Sequence, residues 1–306
     1  MAINKLQKKK QEEYDEEEDF VLNEKLNLNN KRGLNLTDRQ ETKTFYVRVP
    51  RNVILYSCST EDKLTLPIYL YSGIKADKNN NYTVDTTVTL IAETFKPNED
   101  IRKGTYAKVE ERLIELGSDI PEFKIGNATV NGVGKCLFGN IENYINPENQ
   151  IKEGNGGRRF SKEKRYGKRI KYNFVDRNIC DMEGWIPITY EEYTYLENTV
   201  NKIKYEKLIN GEKDKWNLVL LINLYVYLKY YILLYENISR ATDKNITMHE
   251  GVLTMAKKFK AGPQTIIMAL KQLENLGLID IEQGFFNQKK SNRYLISKRW
   301  KKFCSE

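Results

Sequence analysis

In the last quarter of the chain, apolar residues recur every three or four positions, which is the spacing of helices that bury one face. Such a helix is predicted over residues 263–276, because Pro263 suits a first turn, Gly277 suits an end, and one face would hold Ile266, Ala269, Leu270 and Leu273. A preceding helix is predicted from residue 247 to about residue 259, since Thr247 and Glu250 have the spacing of a capping box. The turn at residues 260–262 would join the two into a helix-turn-helix.

After Gly277 the apolar pattern changes to that of strands. The segments LIDIE and RYLIS, separated by the loop GFFNQKKSN, predict a β-hairpin. A helix-turn-helix followed by a hairpin is typical of a winged helix, which places its second helix in the major groove of DNA. The sequence therefore predicts a C-terminal winged-helix DNA-binding domain over residues 172–306.

The first half of the chain carries elements in a similar order. FYVRVP predicts a strand, and Ser59 and Asp62 have the spacing of a helix start, although Pro67 should kink that helix or delay it. TTVTLIAETF predicts a second helix, with Val88, Ile91 and Phe95 on one face, and a third is predicted over residues 101–116. These elements predict a second, N-terminal winged-helix-like domain.

A hairpin is expected to complete that domain. Asn131-Gly132 lies between EFKIGNATV and VGKCLFG and is a strong signal for a two-residue hairpin turn. We therefore place the N-terminal domain at residues 44–145, after a charged tail at residues 1–43 that is predicted to be disordered or weakly helical. The fold class that follows is mainly α with small β wings (α+β), built from two winged-helix domains.

The most apolar segment, residues 218–234, has about the length of a membrane span. It carries Asn223 and Lys229, which are costly in a bilayer, so a buried helix within a protein core is expected instead. Upstream, WIPIT predicts a strand, and Thr189 and Glu192 form a capping box that opens a helix running towards Leu208. No membrane association is predicted, and the absence of an apolar leader and of paired cysteines favours a cytoplasmic protein.

Positive charge is concentrated in two stretches. The chain has 50 Lys+Arg against 42 Asp+Glu, a formal net charge of +8. Residues 152–171 hold nine Lys/Arg against two acids, and residues 245–306 hold eleven against five. Local basic surface of this kind favours double-stranded DNA as partner. Residues 146–171 are interpreted as a basic linker or extended wing, with Phe160 and Tyr166 available for base stacking.

The residues expected to contact DNA fall into three groups. The second helix of the C-terminal domain contributes residues that face away from the core, namely Gln264, Thr265, Met268 and Lys271. The hairpin contributes basic residues at and beside its tip, namely Lys289, Lys290 and Arg293. On the third N-terminal helix, four basic residues are predicted to face solvent: Arg102, Lys103, Lys108 and Arg112. The linker would add Arg158, Arg159, Lys168 and Arg169.

Catalysis is not predicted. The chain has one histidine, His249, and four cysteines far apart, which argues against zinc sites and paired-histidine metal sites, and no cofactor is expected. The acid pairs Glu110-Glu111 and Glu191-Glu192 are adjacent on helices, so the two carboxylates of each pair point apart. NGVGKC lacks the first glycine and the hydroxyl residue of a phosphate-binding loop.

Two winged-helix-like halves joined by a basic linker resemble the replication initiator proteins of plasmids and phages from low-GC Gram-positive bacteria. The resemblance lies in VRVPRNVI, in TTVTLIAETF with the following helix, and in ITMHEGVLTMAKKFKAGPQTIIMALKQLENLGLIDIE. It implies binding to origin repeats, recruitment of host replication proteins, and no catalysis. Two alternatives stay open: a transcriptional regulator that forms a homodimer through the apolar helix at residues 216–236, and a winged-helix adaptor that binds proteins only.

Overall fold

The computed structural model describes residues 46–95, 103–125, 128–132, 137–139, 141, 166, 167, 169–175, 184–213, 215–243, 247–286, 289–298 and 300. These residues belong to one compact unit, Thr42–Glu306. The predicted N-terminal tail and most of the predicted linker lie outside the described residues.

The fold is mixed α and β with small sheets, which confirms the predicted fold class at that level. The helices are α1 (Arg51–Ser59), α2 (Thr65–Lys75), α3 (Val88–Phe95), α4 (Lys103–Leu116), α5 (Tyr190–Ile209), α6 (Leu218–Thr242), α7 (Val252–Lys258) and α8 (Pro263–Asn275). The strands are β1 (Tyr46–Pro50), β2 (Thr83–Thr87), β3 (Phe123–Ile125), β4 (Ala128–Val130), β5 (Phe138–Gly139), β6 (Arg169–Phe174), β7 (Trp185–Thr189), β8 (Ile279–Phe286) and β9 (Lys289–Ile296).

Strand pairing connects the two halves of the chain. β1 pairs antiparallel with β7, from Tyr46 opposite Thr189 to Pro50 opposite Trp185. β6 lies between β2 and β5 in a three-stranded antiparallel sheet. The last residues of the predicted linker, from Arg169 onward, are therefore a central strand rather than a connector. In the described part of the chain, the two other sheets are the hairpins β3–β4 and β8–β9.

The long apolar helix α6 is the centre of the core. It is long and apolar enough to cross a membrane, and 83% of the residues in its most apolar stretch are buried within the protein. Its two fully buried polar residues have partners: the Asn223 amide donates to the Lys63 carbonyl at 2.8 Å, and Lys229 pairs with Glu192. The residues of α6 that could have formed a dimer surface are thus buried in the protein's own core.

The predicted helix start at Ser59 is wrong. Ser59 ends α1, a helix that the sequence pattern did not reveal, and the carboxylate of Asp62 accepts a hydrogen bond from the Leu64 backbone at 3.0 Å in the turn that follows. α2 begins only at Thr65, with Pro67 in its first turn, where a missing N–H costs nothing. The predicted delay at Pro67 is therefore confirmed.

The predicted hairpin at Asn131-Gly132 is also wrong. The hairpin forms one segment earlier, with β3 and β4 both inside EFKIGNATV, and β5 pairs with β6 instead of β4. At Gly132 the backbone lies so close to residue Ile120 that a Cβ would be 1.8 Å from the Ile120 carbonyl oxygen. Gly132 is therefore required because a side chain would not fit there, and not because a hairpin turn needs a glycine.

Candidate nucleic-acid interface

α7 and α8 are joined by a tight turn of four residues, 259–262. Phe259, which is fully buried, directly follows the last residue of α7, and the Ala261 N–H donates to the Ala256 carbonyl at 3.0 Å. Lys260 has a left-handed backbone, with φ of 45°, which reverses the chain before Gly262 caps α8. Pro263 occupies the first turn of α8, as predicted.

The predicted inner face of α8 is confirmed. It consists of residues that are at most 3% exposed: Ile266, Ala269, Leu270 and Leu273. The C-terminal end of α8 is held against the core, because the Tyr195 hydroxyl donates to the Leu276 carbonyl at 2.9 Å and the Gln272 amide donates to the Lys215 carbonyl at 3.3 Å. Residues 262–265 at the other end are all exposed, so the helix presents its N-terminal end to solvent.

The side chains predicted to contact DNA on α8 lie together on its outer face. Gln264, Thr265 and Lys271 are exposed, and Met268 is 38% exposed one turn after Gln264. No acidic residue lies in the first turn, where the helix dipole favours negative charge from a ligand. This surface is uncharged at its start and carries Lys271 further along.

Two exposed lysines beside α8 were missed by the sequence analysis. Lys257 lies on α7 and Lys260 in the turn, and both are exposed. The signal was the helical spacing of Met255, Ala256 and Phe259, which places those residues inward and leaves Lys257 outward.

The hairpin β8–β9 follows α8 closely and is longer than predicted. Each strand has eight residues, and the pairing runs from Ile279 opposite Ile296 to Phe286 opposite Lys289. Lys289 and Lys290 are thus the first residues of β9 at the tip, as the sequence suggested. Arg293 lies further from the tip, opposite Glu282, and its guanidinium pairs with that carboxylate at 3.2 Å.

A short segment before α7 extends this hairpin. His249 forms an isolated antiparallel bridge with Arg293, and the Tyr294 N–H donates to the Met248 carbonyl at 3.3 Å. The predicted capping box at Thr247 is therefore wrong: α7 starts at Val252, because the preceding residues pair with β9 instead. Burial and the nearby charge of Arg293 lower the pKa of His249 from its usual 6.5, which keeps the ring neutral at neutral pH.

Glu250 connects the motif to the core. Its carboxylate accepts hydrogen bonds from the Tyr227 hydroxyl of α6 at 2.9 and 3.1 Å and pairs with Lys258 of α7 at 2.9 Å. Its carbonyl accepts a hydrogen bond from the Tyr294 hydroxyl of β9 at 3.2 Å. One residue thus joins α6, α7 and the hairpin, and a search for exposed charge could not have found it.

The basic residues of α4 have a different environment. Lys108 is exposed, as predicted, but the prediction that Arg112 faces solvent is wrong. The Arg112 side chain is 11% exposed and donates to both oxygens of Asp62 at 3.0 to 3.2 Å, and it also pairs with Glu115. Lys103 begins α4, and Arg102 lies outside the described residues.

The linker residues are only partly described. Arg158, Arg159 and Lys168 lie outside the described residues, as does Phe160. Arg169 is 75% exposed and pairs with Asp85 on the neighbouring strand at 2.9 Å, so an acid partly neutralises it.

Tyr166, which was expected to be available for base stacking, is only 5% exposed, and its ring stacks on Tyr106 with centroids 5.3 Å apart.

Within the described part of the chain, no group of three or more His, Cys, Asp or Glu residues could hold a metal ion. Cys58 is fully buried as a free thiol, and burial raises its pKa above the usual value.

No protein-family model matches the chain, and no curated protein or solved structure matches it significantly.

Proposed function

We propose that the protein binds double-stranded DNA in a sequence-specific manner, with α8 in the major groove and the β8–β9 hairpin on the neighbouring backbone. The observation that carries this proposal is the α7–α8 helix-turn-helix whose second helix turns an exposed, polar N-terminal end outward and is followed at once by a hairpin with lysines at its tip.

The order and pairing of the elements support a winged helix. The order along the chain is α6, the bridged segment at Met248 and His249, α7, α8 and the two hairpin strands. The bridged segment pairs with β9, the second strand of the hairpin. A winged helix uses this order, with the strand that precedes the helix-turn-helix added to the edge of the wing. The hairpin is thereby fixed beside α8.

Charge supports the same partner. Residues 252–275 hold four lysines and one glutamate, and two of those lysines, Lys257 and Lys260, are exposed near the start of α8. Lysines around a neutral recognition helix suit phosphate contacts on both sides of a groove. A partner made of protein would not require this arrangement of charge.

For the biological role, we propose initiation of plasmid or phage replication, as the sequence resemblance implies, with host replication proteins as further partners. The alternative is a transcriptional regulator that uses the same C-terminal helices and hairpin. Because α6 is buried within the protein, it does not offer the dimer surface considered for that regulator.

The test is binding of the full chain to random duplexes and to DNA neighbouring its gene, measured over a salt series, with the bound fragments sequenced. We expect enrichment of repeated sites and affinity that falls steeply as salt rises. Gln264→Ala should lower discrimination between sites by about 1–3 kcal/mol. The double variant Lys289→Ala/Lys290→Ala should weaken binding to all duplexes and reduce the salt slope by about one or two ions.

The matched control is Lys202→Ala, which removes an exposed lysine from α5, where the side chain is 76% exposed. It should leave both site preference and salt slope unchanged. Binding that does not depend on salt, or equal binding by all four proteins, would refute the proposal and favour the adaptor.

A further inference from the structure

The outer face of α8 carries a particular set of side chains over its first two turns. Gln264 and Thr265 come first and Met268 follows one turn later, all exposed, and residues 262–270 contain no Arg, Lys, Asp or Glu. The nearest charged residue on this face is Lys271.

Each base pair displays different groups in the major groove. Guanine offers two acceptors, which Arg and Lys bind best, and cytosine offers a donor that suits Asp or Glu. Adenine offers the N7 acceptor beside the N6 amino group, which a Gln amide can bind with two hydrogen bonds, and thymine offers its C5 methyl group to apolar side chains. The first two turns of α8 hold partners for adenine and thymine and lack the charged partners of guanine and cytosine.

The geometry allows both contacts at once. Gln264 and Met268 are four residues apart, which is about 6 Å along a helix axis. Base pairs are about 3.4 Å apart, so the two side chains span at most two base-pair steps. Because the C-terminal end of α8 is held by Tyr195 and the first turn is exposed, this part of the helix would enter the groove first.

We infer that α8 selects A·T base pairs: Gln264 binds adenine through N6 and N7, and Met268 contacts the thymine methyl group of the same or a neighbouring pair. Lys271, further along the helix, binds phosphate. The inference rests on the proposed DNA binding and adds the base identity that this surface recognises.

The experiment removes single atoms or groups from the DNA. A duplex containing the selected site is prepared with 7-deazaadenine in place of one adenine, or with deoxyuridine in place of one thymine, at each position in turn. At one adenine, loss of N7 should weaken binding by the wild-type chain about threefold to tenfold, the effect of one neutral hydrogen bond. At one nearby thymine, loss of the methyl group should weaken it about threefold, roughly the effect of one buried methylene. The same replacements in flanking DNA should have no effect.

Protein variants assign each contact. Gln264→Ala should abolish the 7-deazaadenine effect and keep the deoxyuridine effect, and Met268→Ala should do the reverse, as expected for directly interacting pairs. Asn275→Ala, an exposed residue in the last turn of α8, should keep both effects. Selected sites whose conserved core is G·C, or penalties that persist in both variants, would overturn the inference while leaving DNA binding intact. Absence of any sequence-specific duplex binding would overturn the inference and the proposed function together.

Discussion

Two pairs of helices were expected to contact DNA, α3 with α4 and α7 with α8, and their charges differ. Residues 88–116 contain five basic and six acidic residues, whereas residues 252–275 contain four basic residues and one acid. In the first pair, Arg112 is held between Asp62 and Glu115. In the second, Lys257 and Lys271 are exposed.

The hairpins that follow the two pairs differ as well. β3 and β4 have three residues each, and β8 and β9 have eight each. A long hairpin can reach a DNA backbone beside a helix in the groove, and a short one stays close to its own helices. A count of lysines and arginines therefore does not show how much positive charge a helix pair offers to a ligand, because acids packed beside them neutralise part of it.

The largest expected effect is on stability, and it comes from a buried ion pair between α5 and α6, in the core of the protein. Lys229 and Glu192 are fully buried 2.6 Å apart, and Glu192 also accepts hydrogen bonds from the Tyr225 hydroxyl and the Thr189 N–H. Glu192→Ala leaves Lys229 charged and unpaired in the core, so the free energy of unfolding should fall by about 3–5 kcal/mol. Urea unfolding measures it.

The control replaces both charges, Glu192→Leu with Lys229→Met, which should cost less than the single change because no charge is left alone. A double variant that is less stable than Glu192→Ala would contradict this account.

The same pair gives stability a pH dependence of known sign. Burial opposes ionisation of Glu192, but Lys229, Tyr225 and Thr189 together hold its pKa below the usual 4.5. The ionised carboxylate therefore stabilises the fold at pH values above about 4.5, and this contribution is lost as pH falls towards the lower pKa of the folded state. Acid titration of unfolding should show a smaller pH dependence in Glu192→Gln than in the wild-type chain.

Much of the C-terminal region could be predicted from sequence because its signals are local. The apolar spacing of α8, its initial Pro263 and the alternation in the hairpin depend on neighbours within a few residues. The capping box at Thr189 formed as predicted, whereas the similar one at Thr247 did not, because pairing with β9 draws residues 248 and 249 into extended structure. Local signals fail where a distant strand competes for the same backbone.

The parts that could not be predicted depend on contacts distant in sequence. In the β1–β7 pair, Tyr46 lies opposite Thr189, and the partner of Arg112 is Asp62, fifty residues away. Nothing in the spacing of α4 distinguishes Arg112 from Lys108 as the buried charge. The outer face of α8 was predictable because it is defined by what it does not contact, which the buried face of the same helix determines.

The second largest effect on stability should come from Arg112, which lies on α4 in the first pair of helices, α3 and α4. Arg112→Ala leaves Asp62, whose side chain is 7% exposed, without its cation, so the fold should lose about 2–3 kcal/mol of stability. DNA affinity of the folded protein should stay unchanged. Glu111→Ala is the control, because Glu111 is 60% exposed and 3.7 Å from Arg112, and it should cost about 0.5 kcal/mol or less. A loss of DNA affinity in Arg112→Ala without loss of stability would show that Arg112 contacts DNA and is not a structural residue.

A smaller effect separates the two pairs through single exposed lysines. Lys257→Ala should weaken duplex binding about fivefold at 0.1 M salt and reduce the salt slope by about one ion, since one phosphate contact is lost. Lys108→Ala, with Glu110 and Glu111 nearby in sequence on α4, should change affinity by less than about twofold. Fluorescence anisotropy with a labelled duplex measures both. Equal losses would show that α4 also contacts DNA, as the sequence alone predicted.

The smallest effect concerns an acid within the C-terminal region itself. Glu282 pairs with Arg293 at 3.2 Å, and their side chains are 54% and 34% exposed, so Glu282→Gln should change stability by less than about 1 kcal/mol. The variant frees Arg293 and removes a negative charge from the hairpin, so duplex affinity at low salt should rise about twofold to threefold. The control for net charge is Glu206→Gln on α5, because the Glu206 side chain is 57% exposed, about as much as Glu282. This variant should leave affinity unchanged. If both variants raise affinity equally, the total charge of the protein governs binding; if only Glu282→Gln does, the hairpin contacts the DNA, and the acid beside Arg293 limits its strength.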